Sequence, residues 1–348
     1  MSFDCSNEIG NSGVFIPSIV FGTSYLGNLY KKLSYDEKLR LVQGWFMCTE
    51  KPVIDSAGKY GAGMSLEMIG RLLGDLNVDP GQVTISNKLG WYRIPLRTEE
   101  PTFEPGVWVD CNYDAVQKIS YEGIIQCWEQ GEELLGGKYK TQLVSVHDPD
   151  EYLTGADSLK DREKRLLDIT EAYRALFELK AKGLVKAVGV GSKDWHVIEE
   201  LYGEVKFDWV MLANSFTIMK HTDEFLGFVN RLHRDGVAVI NSAIFHGGFV
   251  TGSDFFDYKK VDPESSQGKE ILAWRNGFDN LCSIYKVHAS DAAIHFVLSH
   301  PAVSSLALNT SKQETMLRNW DVLHREIPKE FWREMKLKGL ISANYNYI

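Results

Sequence analysis

The stretch Pro52-Val-Ile-Asp-Ser-Ala-Gly-Lys-Tyr-Gly-Ala-Gly-Met-Ser-Leu-Glu67 decides how the rest of the chain is interpreted. A short apolar run ends on Asp55, a turn-prone segment carries Tyr60 between two glycines, and a helical pattern begins near Ser65. This order predicts a strand, a tight loop and a helix. In parallel α/β folds, ligands and catalytic groups collect at that edge of the sheet. Taken alone, a helix cap at Asp55 and a packing role for Tyr60 are the ordinary alternatives.

Short β-rich runs alternate with helical patterns along the whole chain, and eight of these runs predict strands. They span residues 18–22, 52–55, 83–88, 142–147, 185–190, 208–212, 237–242 and 303–308. The alternation predicts a parallel sheet with right-handed crossovers, and eight units is the number that closes a (β/α)8 TIM barrel. The alternative, a doubly wound open sheet, usually carries G-x-G-x-x-G after its first strand, and the chain has no such motif. We therefore predict an α/β TIM barrel that forms a single domain over residues 1–348.

The chain is longer than the predicted barrel requires. A barrel of this kind needs about 250 residues, so the remainder must lie in loops or terminal extensions. The longest loop, 91–120, is rich in Pro, Glu and aromatic residues and follows the third strand, so we expect it to cover the barrel mouth. A second long loop, 247–269, follows the seventh strand. Capping boxes are predicted at Ser34 with Glu37 and at Ser311 with Glu314.

Composition limits the classes of partner. The hydrophobic content of 44% and charged content of 24% are typical of a globular protein, and the net charge of −9 argues against nucleic acid or an anionic membrane as a main partner. The chain shows no signal-like start and no apolar run of membrane-spanning length. We therefore predict a cytoplasmic location and no metal site. The cysteines are odd in number and scattered, which predicts free thiols: Cys5, Cys48, Cys111, Cys127 and Cys282.

Two more strand ends carry groups capable of chemistry. The third strand ends on Lys88 and the fourth on His147, at the same edge as Asp55 and Tyr60. Alone, each has an ordinary alternative, a solvated strand end for the lysine and a packing role for the histidine. Together they form a proton relay: an ammonium lowers the pKa of a nearby phenol, a carboxylate holds the ammonium, and the histidine orients a carbonyl or hydroxyl oxygen. Since no side chain supplies hydride, a nicotinamide cofactor is implied.

The motifs resemble those of the aldo-keto reductase superfamily. They are Phe21-Gly22-Thr23, Asp55-Ser-Ala-x-x-Tyr60-Gly with Ser65-x-Glu67, Lys88-Leu-Gly, His147-Asp-Pro and Gly189-Val-Gly. They occur in order at the strand ends, and the resemblance covers nearly the whole chain. It implies that Tyr60 is the general acid/base, that Lys88 and Asp55 tune its acidity, and that His147 positions the substrate oxygen.

The resemblance also implies a cofactor, NAD or NADP, bound in an extended form across the barrel mouth. The implied cofactor-binding residues are Gly22, Thr23, Asp55, Ser192, Asn214, Phe216, Ser242, Gly247, Thr310, Ser311, Lys312 and Asn319. Phe216 is expected to stack on the nicotinamide, with core packing as an equal alternative, and Asn319 to contact the adenine. Lys193 lies where many members have an asparagine that contacts the nicotinamide amide, so that contact is in question.

The adenosine segment departs from the pattern of NADPH-dependent members. Thr315 stands where those members commonly have an arginine, and Asn309 where they often have a lysine. These differences remove two cations that suit a 2′-phosphate, so NAD is favoured over NADP, although Lys312 is a partial substitute.

Within the superfamily, the chain looks like the branch that includes L-fucose, D-threo-aldose and galactose dehydrogenases and pyridoxal 4-dehydrogenase. The similar segments are 147–150, 240–249 and 255–258. This resemblance implies oxidation of a cyclic hemiacetal, such as the L-fucose ring form, at its anomeric carbon to a lactone. Trp91, His147 and His246 are the implied substrate residues, and a small sugar or aldehyde is the implied partner.

Three other functions stay open at this point. One is a general NADPH-dependent aldehyde or carbonyl reductase, which runs the same relay in the opposite direction. Another is a cofactor-sensing subunit without catalysis, as in the potassium-channel β subunits of the superfamily. A metal-dependent barrel hydrolase is disfavoured because the strand ends show no His and Asp cluster at ligand spacing. The sequence does not predict the oligomeric state.

Overall fold

Eight parallel strands form a closed barrel in the computed structural model, which describes residues 6–257 and 259–348. Each strand pairs with the next, and the last pairs with the first. The strands lie within two residues of their predicted bounds, so the (β/α)8 barrel prediction is confirmed. In chain order they are barrel strand 1 (Ile19–Gly22), 2 (Val53–Ala57), 3 (Thr84–Leu89), 4 (Leu143–His147), 5 (Ala187–Ser192), 6 (Trp209–Ala213), 7 (Ala238–Ser242) and 8 (Val303–Leu308).

Helices surround the barrel. In chain order they are α1 (Tyr35–Cys48), α2 (Met64–Asp75), α3 (Tyr121–Leu134), α4 (Pro149–Thr154), α5 (Leu159–Ala181), α6 (Trp195–Tyr202), α7 (Asp223–Arg234), α8 (Ser266–Tyr285), α9 (Ala289–Leu298), α10 (Gln313–Asp321) and α11 (Lys329–Leu337). Short 3₁₀ helices span Ser24–Gly27, Pro80–Gln82, Phe249–Thr251 and Val322–His324.

The two predicted capping boxes have different outcomes. The Ser34 hydroxyl accepts from the Glu37 N–H while the Glu37 carboxylate accepts from the Ser34 N–H, so the first box is confirmed. The box at Ser311 and Glu314 is wrong. The helix there begins at Gln313, which makes Lys312 the N-cap and leaves Ser311 one residue before the N-cap.

Successive side chains of each barrel strand point alternately into the barrel and out toward the helices. The core therefore has an inner and an outer layer. Val53, Leu143 and Trp209 lie near the starts of their strands and belong to a cluster inside the barrel. An antiparallel N-terminal hairpin, Ser6–Glu8 with Phe15–Pro17, adds apolar residues to this cluster. Gly189 makes room for the indole, because a Cβ there would lie 2.3 Å from the Trp209 ring. Apolar side chains fill the barrel at the end where the strands begin. Polar groups therefore collect at the opposite end, where the strands finish.

The loop after barrel strand 3 covers part of the barrel mouth. It contains an antiparallel hairpin, Trp91–Pro95 with Tyr113–Gln117, that the sequence analysis treated as loop. We call residues 96–112, between its two strands, the cap segment. A β-bridge joins Trp108 of the cap segment to Leu29 in the loop after barrel strand 1, and its Asp110 forms a 2.8 Å salt bridge with Lys32.

The loop after barrel strand 7 leads into an additional helix. It contains a 3₁₀ turn, a short hairpin of Phe255–Phe256 with Lys259–Lys260, and then α8 and α9 before barrel strand 8. The predicted long loop therefore ends in α8, which begins at Ser266. Tyr258, in the motif that the sequence analysis quoted, lies outside the described residues.

The cysteines of the described part, Cys48, Cys111, Cys127 and Cys282, carry free thiols. Cys5 lies outside the described residues. Within residues 6–257 and 259–348, no helix has the length and apolar character that crossing a membrane requires. The cytoplasmic location and the single domain stay predictions.

Candidate active site

A buried ion pair joins barrel strands 2 and 3 at the mouth. The Lys88 ammonium forms a salt bridge with Asp55 Oδ2, and the Ser86 hydroxyl donates to Asp55 Oδ1 at 3.2 Å. Asp55 and Lys88 are each 3% exposed. Burial alone would lower the pKa of Lys88, but Asp55 and then Tyr60 outweigh burial and raise that pKa above its usual value. Lys88 therefore stays positively charged.

Tyr60 lies next to this ion pair in the loop between barrel strand 2 and α2. The Lys88 Nζ is 5.0 Å from the centroid of its ring. Burial raises the pKa of Tyr60, the charge of Lys88 lowers it, and burial together with Asp55 prevails, so the pKa of Tyr60 lies above 10. The ammonium acts in the direction expected from the sequence, but burial and Asp55 outweigh it, so the expected lowering of the Tyr60 pKa is not met. Near neutral pH the side chain is a protonated phenol.

His147, the last residue of barrel strand 4, meets Tyr60 edge-on. The two ring centroids are 5.8 Å apart with an interplanar angle of 82°. Burial, with the charges of Lys88 and Lys59, holds the pKa of His147 well below 6.5, so the imidazole is neutral. Its Nδ1 is buried without a hydrogen-bond partner in the described residues. Asp55, Tyr60, Lys88 and His147, predicted from separate strand ends, are thus together at one edge of the barrel.

A chain of buried hydroxyls supports the Tyr60 loop. Ser65, at the start of α2, donates to the Thr23 carbonyl at 2.9 Å, and Ser56 donates to the Ser65 hydroxyl at 3.1 Å. The Thr23 hydroxyl donates to the carbonyl of Asp55 at 2.9 Å. These bonds connect the ends of barrel strands 1 and 2 with the first turn of α2, and so fix the backbone that carries Tyr60.

Aromatic side chains of the loop after barrel strand 3 cover the phenol. The Trp108 ring lies 5.8 Å from the ring of Tyr60 and 6.4 Å from that of Phe103, which in turn is 5.7 Å from Trp91. The Trp91 Nε1 atom is buried and has no hydrogen-bond partner in the described part of the chain. Flat apolar rings of this kind offer stacking surfaces to a ligand at the barrel mouth.

An ion-pair cluster that was not predicted from the sequence is centred on Lys59, the residue before Tyr60. Its Nζ lies 2.8 Å from Glu104 Oε1 and 2.8 Å from Glu151 Oε2, and 3.5 Å from Asp148 Oδ2. Lys193 pairs with the same Glu151 and lies 3.6 Å from Asp148 Oδ2. We call these five residues the mouth cluster. Its signal in the sequence is a lysine directly before the tyrosine and a run of acidic residues directly after His147.

His246 was predicted as a substrate residue, and this prediction is wrong. The side chain is 0% exposed, and both ring nitrogens are engaged. Nδ1 pairs with Asp257 Oδ1 at 2.7 Å, and Nε2 with the Thr217 hydroxyl at 2.7 Å. The ring also stacks on Phe256 at 4.5 Å. His246 therefore connects the loops after barrel strands 6 and 7 rather than facing a substrate.

Phe216 was predicted to stack on the nicotinamide, and the structure contradicts this. It is 1% exposed and packs against Phe225 of α7 and Phe296 of α9, with ring centroids 5.7 and 5.8 Å away. The alternative that the sequence left open, core packing, is the observed one. The aromatic follows its strand by three residues, and strand alternation does not fix the direction of a side chain beyond the end of the strand.

Ser192, Asn214, Ser242 and Gly247 lie at or just after the ends of barrel strands 5, 6 and 7. The Ser192 and Ser242 hydroxyls each donate a hydrogen bond to a nearby backbone carbonyl. The Asn214 amide, oriented to match its neighbours, donates to the Ala243 carbonyl at 2.9 Å. A role in cofactor binding stays a prediction for these four residues.

A cleft opens between barrel strand 1 with α1 and barrel strand 8 with α10. Its lining includes four of the predicted cofactor residues: Gly22, Thr23, Thr310 and Asn319. Gly22 allows Asn309 to approach closely, because a Cβ there would lie 3.0 Å from the Cβ of Asn309. The apolar lining of the cleft includes Trp45 and Met316.

The residues of this cleft fit the adenosine half of a dinucleotide. Apolar side chains offer a surface for the base, and Asn319 offers an amide for its polar edge. α10 begins at Gln313 without a side-chain cap, so its first N–H groups are free to receive a phosphate. Ser311 and Lys312 directly precede this helix terminus. A role in cofactor binding stays a prediction for the residues of this cleft, whereas Phe216 is packed in the core.

Comparisons with known proteins agree with this architecture. A family model described as "Aldo/keto reductase family" matches residues 18–338. The chain is 27% identical over 350 residues to pyridoxal 4-dehydrogenase of Microbacterium luteolum, covering 96% of this chain and 97% of that protein. It is 23% identical over 343 residues to D-threo-aldose 1-dehydrogenase of a Pseudomonas species, covering 95% and 97%.

Solved structures share the fold at low identity. A glycerol dehydrogenase from Gluconobacter oxydans superposes with a TM-score of 0.72 and 16% identity, covering 100% of both chains. An aldo-keto reductase from Bacillus halodurans, in its holo form, gives a TM-score of 0.70 and 16% identity, covering 98% of this chain and 97% of that one.

Proposed function

This chain belongs to the aldo/keto reductase family of oxidoreductases, and we propose that it oxidises an aldose or a related cyclic hemiacetal at its anomeric carbon to a lactone, with NAD(P) as cofactor. One observation carries the chemistry: a charged Lys88, held by Asp55, lies beside the Tyr60 phenol, with a neutral His147 at its edge. The names of the two relatives, pyridoxal 4-dehydrogenase and D-threo-aldose 1-dehydrogenase, support the hemiacetal class.

Each of the four residues has a distinct role in the proposal. Tyr60 moves the proton: its phenolate takes the proton of the anomeric hydroxyl in oxidation, and its phenol returns a proton to the oxygen in reduction. Lys88 stabilises the phenolate, and Asp55 keeps Lys88 charged and in position. The neutral His147 orients the substrate oxygen next to the phenol. The hydride chemistry would come from a nicotinamide cofactor, which when bound would take up hydride in oxidation and supply it in reduction.

A second candidate function is the reduction of aldehydes by the same residues. It is favoured by the raised pKa of Tyr60, because a phenol that is protonated at neutral pH is ready to act as an acid. The two directions then have opposite pH dependences. Oxidation speeds up as pH rises toward the pKa of Tyr60, whereas reduction stays level until the pH nears that pKa and then slows.

We propose NAD rather than NADP as the cofactor. Asn309, where a cation would assist a 2′-phosphate, is bonded through its amide to the Ser24 hydroxyl at 2.6 Å. Thr315 adds no charge to the same segment. Two cations remain in this segment: Lys312, which directly precedes α10, and Arg318, which forms an ion pair with Asp291.

A substrate screen tests the proposal. The purified protein is incubated with NAD or NADP and with L-fucose, D-arabinose, D-threo-aldoses or pyridoxal, and the absorbance of the reduced nicotinamide is followed. We expect turnover with NAD, with the lactone as product. Reduction of aldehydes by NADPH, with no oxidation of any sugar or of pyridoxal, would replace the proposal by the second candidate.

A further inference from the structure

The mouth cluster lies against the groups that would do the chemistry. Lys59 is bonded in the chain to Tyr60, and Asp148 follows His147, whose Nε2 is 3.6 Å from Asp148 Oδ2. The Trp108 indole, which lies against the Tyr60 ring, donates to the carboxylate of Glu104 at 2.8 Å. A substrate oxygen between the phenol and the imidazole therefore lies close to the carboxylates of the cluster.

The cluster contains more negative than positive charge. It has three carboxylates (Glu104, Asp148, Glu151) and two ammonium groups (Lys59, Lys193), which gives a formal charge of −1. Lys59 is 3% exposed and contacts all three carboxylates. Burial alone would lower the pKa of Lys59, but these carboxylates outweigh burial and raise it, so Lys59 stays charged. Both cations are thus already neutralised by the chain.

The neighbouring cations are paired in the same way. Lys88 is held by Asp55, and Arg93 lies 3.0 Å from Glu67 and donates to the Ala62 carbonyl. An anionic substrate group that enters here must displace a carboxylate from a partly buried ion pair. Removing one partner of such a pair leaves an uncompensated charge, which is strongly unfavourable.

The polar atoms left without partners suit neutral groups. His147 is 5% exposed, and its Nδ1 has no partner in the described residues; the same holds for the buried Trp91 Nε1. An indole N–H donates to a hydroxyl or carbonyl oxygen, and a neutral imidazole both donates and accepts. These atoms pair with a sugar hydroxyl or an aldehyde oxygen without any added charge.

We infer that the mouth cluster selects uncharged substrates: the site accepts neutral sugars and aldehydes and rejects the same molecules when they carry a phosphate or a carboxylate. The inference rests on the proposed function and adds the charge class of its substrate. The rejection comes from the excess of carboxylates and from the pairing of both cluster cations. Phosphorylated and acidic sugars are therefore outside the range of this enzyme.

Matched substrate pairs test the inference in both reaction directions. D-Galactose is compared with D-galacturonate in oxidation, and butyraldehyde with succinic semialdehyde in reduction. We expect kcat/KM to be about 100-fold higher for the neutral member of each pair, since juxtaposed like charges cost several kcal/mol. Equal kcat/KM within the pairs would overturn the inference while leaving the proposed function intact. If no neutral member of either pair is turned over and the substrate screen also shows no turnover, the proposed function fails and the inference falls with it.

A variant of the cluster links the selectivity to these residues. Glu151→Gln removes one negative charge and frees Lys193 from its shortest ion pair, so we expect the neutral-to-anionic ratio to fall about tenfold. Glu178→Gln is the matched control, because Glu178 lies on α5 and accepts from the Tyr121 hydroxyl away from the site. An unchanged ratio in Glu151→Gln, or an equal fall in Glu178→Gln, would overturn the assignment to the cluster.

Discussion

Tyr60 is subject to two opposing effects. Burial and the Asp55 carboxylate favour the neutral phenol, whereas the Lys88 ammonium favours the phenolate. Because the first two prevail, the resting side chain is an acid, and its ionisation costs free energy that Lys88 reduces. The balance at this one residue determines how the rates of oxidation and reduction depend on pH.

Replacement of Lys88 by Met should shift this balance further. The change deletes the charge that lowers the pKa of Tyr60 and leaves Asp55 unpaired nearby, so we expect the alkaline limb of the reduction profile to move up by about one pH unit or more. The profile is measured as kcat/KM against pH with a neutral aldehyde. Lys180→Met, which breaks the salt bridge to Asp208 away from the mouth, is the control. An alkaline limb at the wild-type pH would contradict the role of Lys88.

Lys59 should act on His147 through charge. Lys59 is one of the cations that lower the pKa of His147, after burial and Lys88. In Lys59→Met the pKa of His147 should rise, so the acid limb of kcat/KM should move toward neutral pH, whereas Lys59→Arg should keep the wild-type limb. A loss of activity in Lys59→Met without any change in the shape of the profile would show that the lysine is only structural.

Residues at strand ends were predictable from the strand pattern, whereas a loop residue such as Tyr60 was predictable only through the motif that contains it. Asp55, Lys88 and His147 lie within barrel strands, where alternation and register fix which way a side chain points. Phe216 and His246 lie in loops, where neither rule applies, and both proved to be core residues. The mouth cluster was missed because it joins four separate loops, and its pairing depends on tertiary contacts.

At the scale of elements, two loops meet backbone to backbone beneath the phenol. A Cβ on Gly27 would lie 2.8 Å from the backbone carbon and oxygen of Tyr60, and Gly61 has φ +60° with its own Cβ position 2.5 Å from the Gly27 oxygen. Only glycine allows this approach. The position of Tyr60 therefore depends on the 3₁₀ helix Ser24–Gly27 that follows barrel strand 1.

Gly27→Ala should disturb both stability and catalysis. The added methyl group must displace the Tyr60 backbone, which we expect to cost about 1–3 kcal/mol of unfolding free energy and to lower kcat. Gly74→Ala is the control, since Gly74 lies in α2 with nothing within 4 Å of its Cβ position, and it should be neutral or slightly stabilising. Urea unfolding and kcat are measured for both variants. Wild-type stability and kcat in Gly27→Ala would contradict the close approach.

The elements that the sequence predicted are those with regular periodicity. The barrel strands were predicted to within two residues because each is a short apolar run between turn residues. The hairpin Trp91–Pro95 with Tyr113–Gln117 was missed because its strands are separated by a cap segment rich in Pro and Glu, which conceals the pairing. The predicted helix N-cap at Ser311 was wrong because the helix begins two residues after it.

At the scale of the whole molecule, buried neutral histidines make stability depend on pH. Burial lowers the pKa of His300 to about 4, and its Nδ1 accepts from the Ala302 N–H at 3.2 Å. Between pH 6.5 and about 4 the unfolded chain binds a proton at this site and the folded chain does not. The folded state therefore loses stability as pH falls through this window, and His300 has no such effect above it.

His300→Asn should flatten this dependence. The amide oxygen keeps an acceptor for Ala302 but does not titrate, so the loss of unfolding free energy between pH 6.5 and 4.5 should be smaller than in the wild type by up to about 1 kcal/mol per pH unit. The unfolding free energy of both proteins is measured by urea unfolding at a series of pH values. Parallel pH dependences in the two proteins would contradict a neutral, buried His300.

The central claim is that Tyr60 transfers the proton that accompanies hydride transfer. The most direct measurement is the single-turnover rate of nicotinamide reduction in Tyr60→Phe and in the wild type, with cofactor affinity measured separately by fluorescence titration. We expect the rate to fall about 10³-fold, as the loss of an acid/base group requires, with cofactor affinity nearly unchanged. A rate within tenfold of the wild type would contradict the claim.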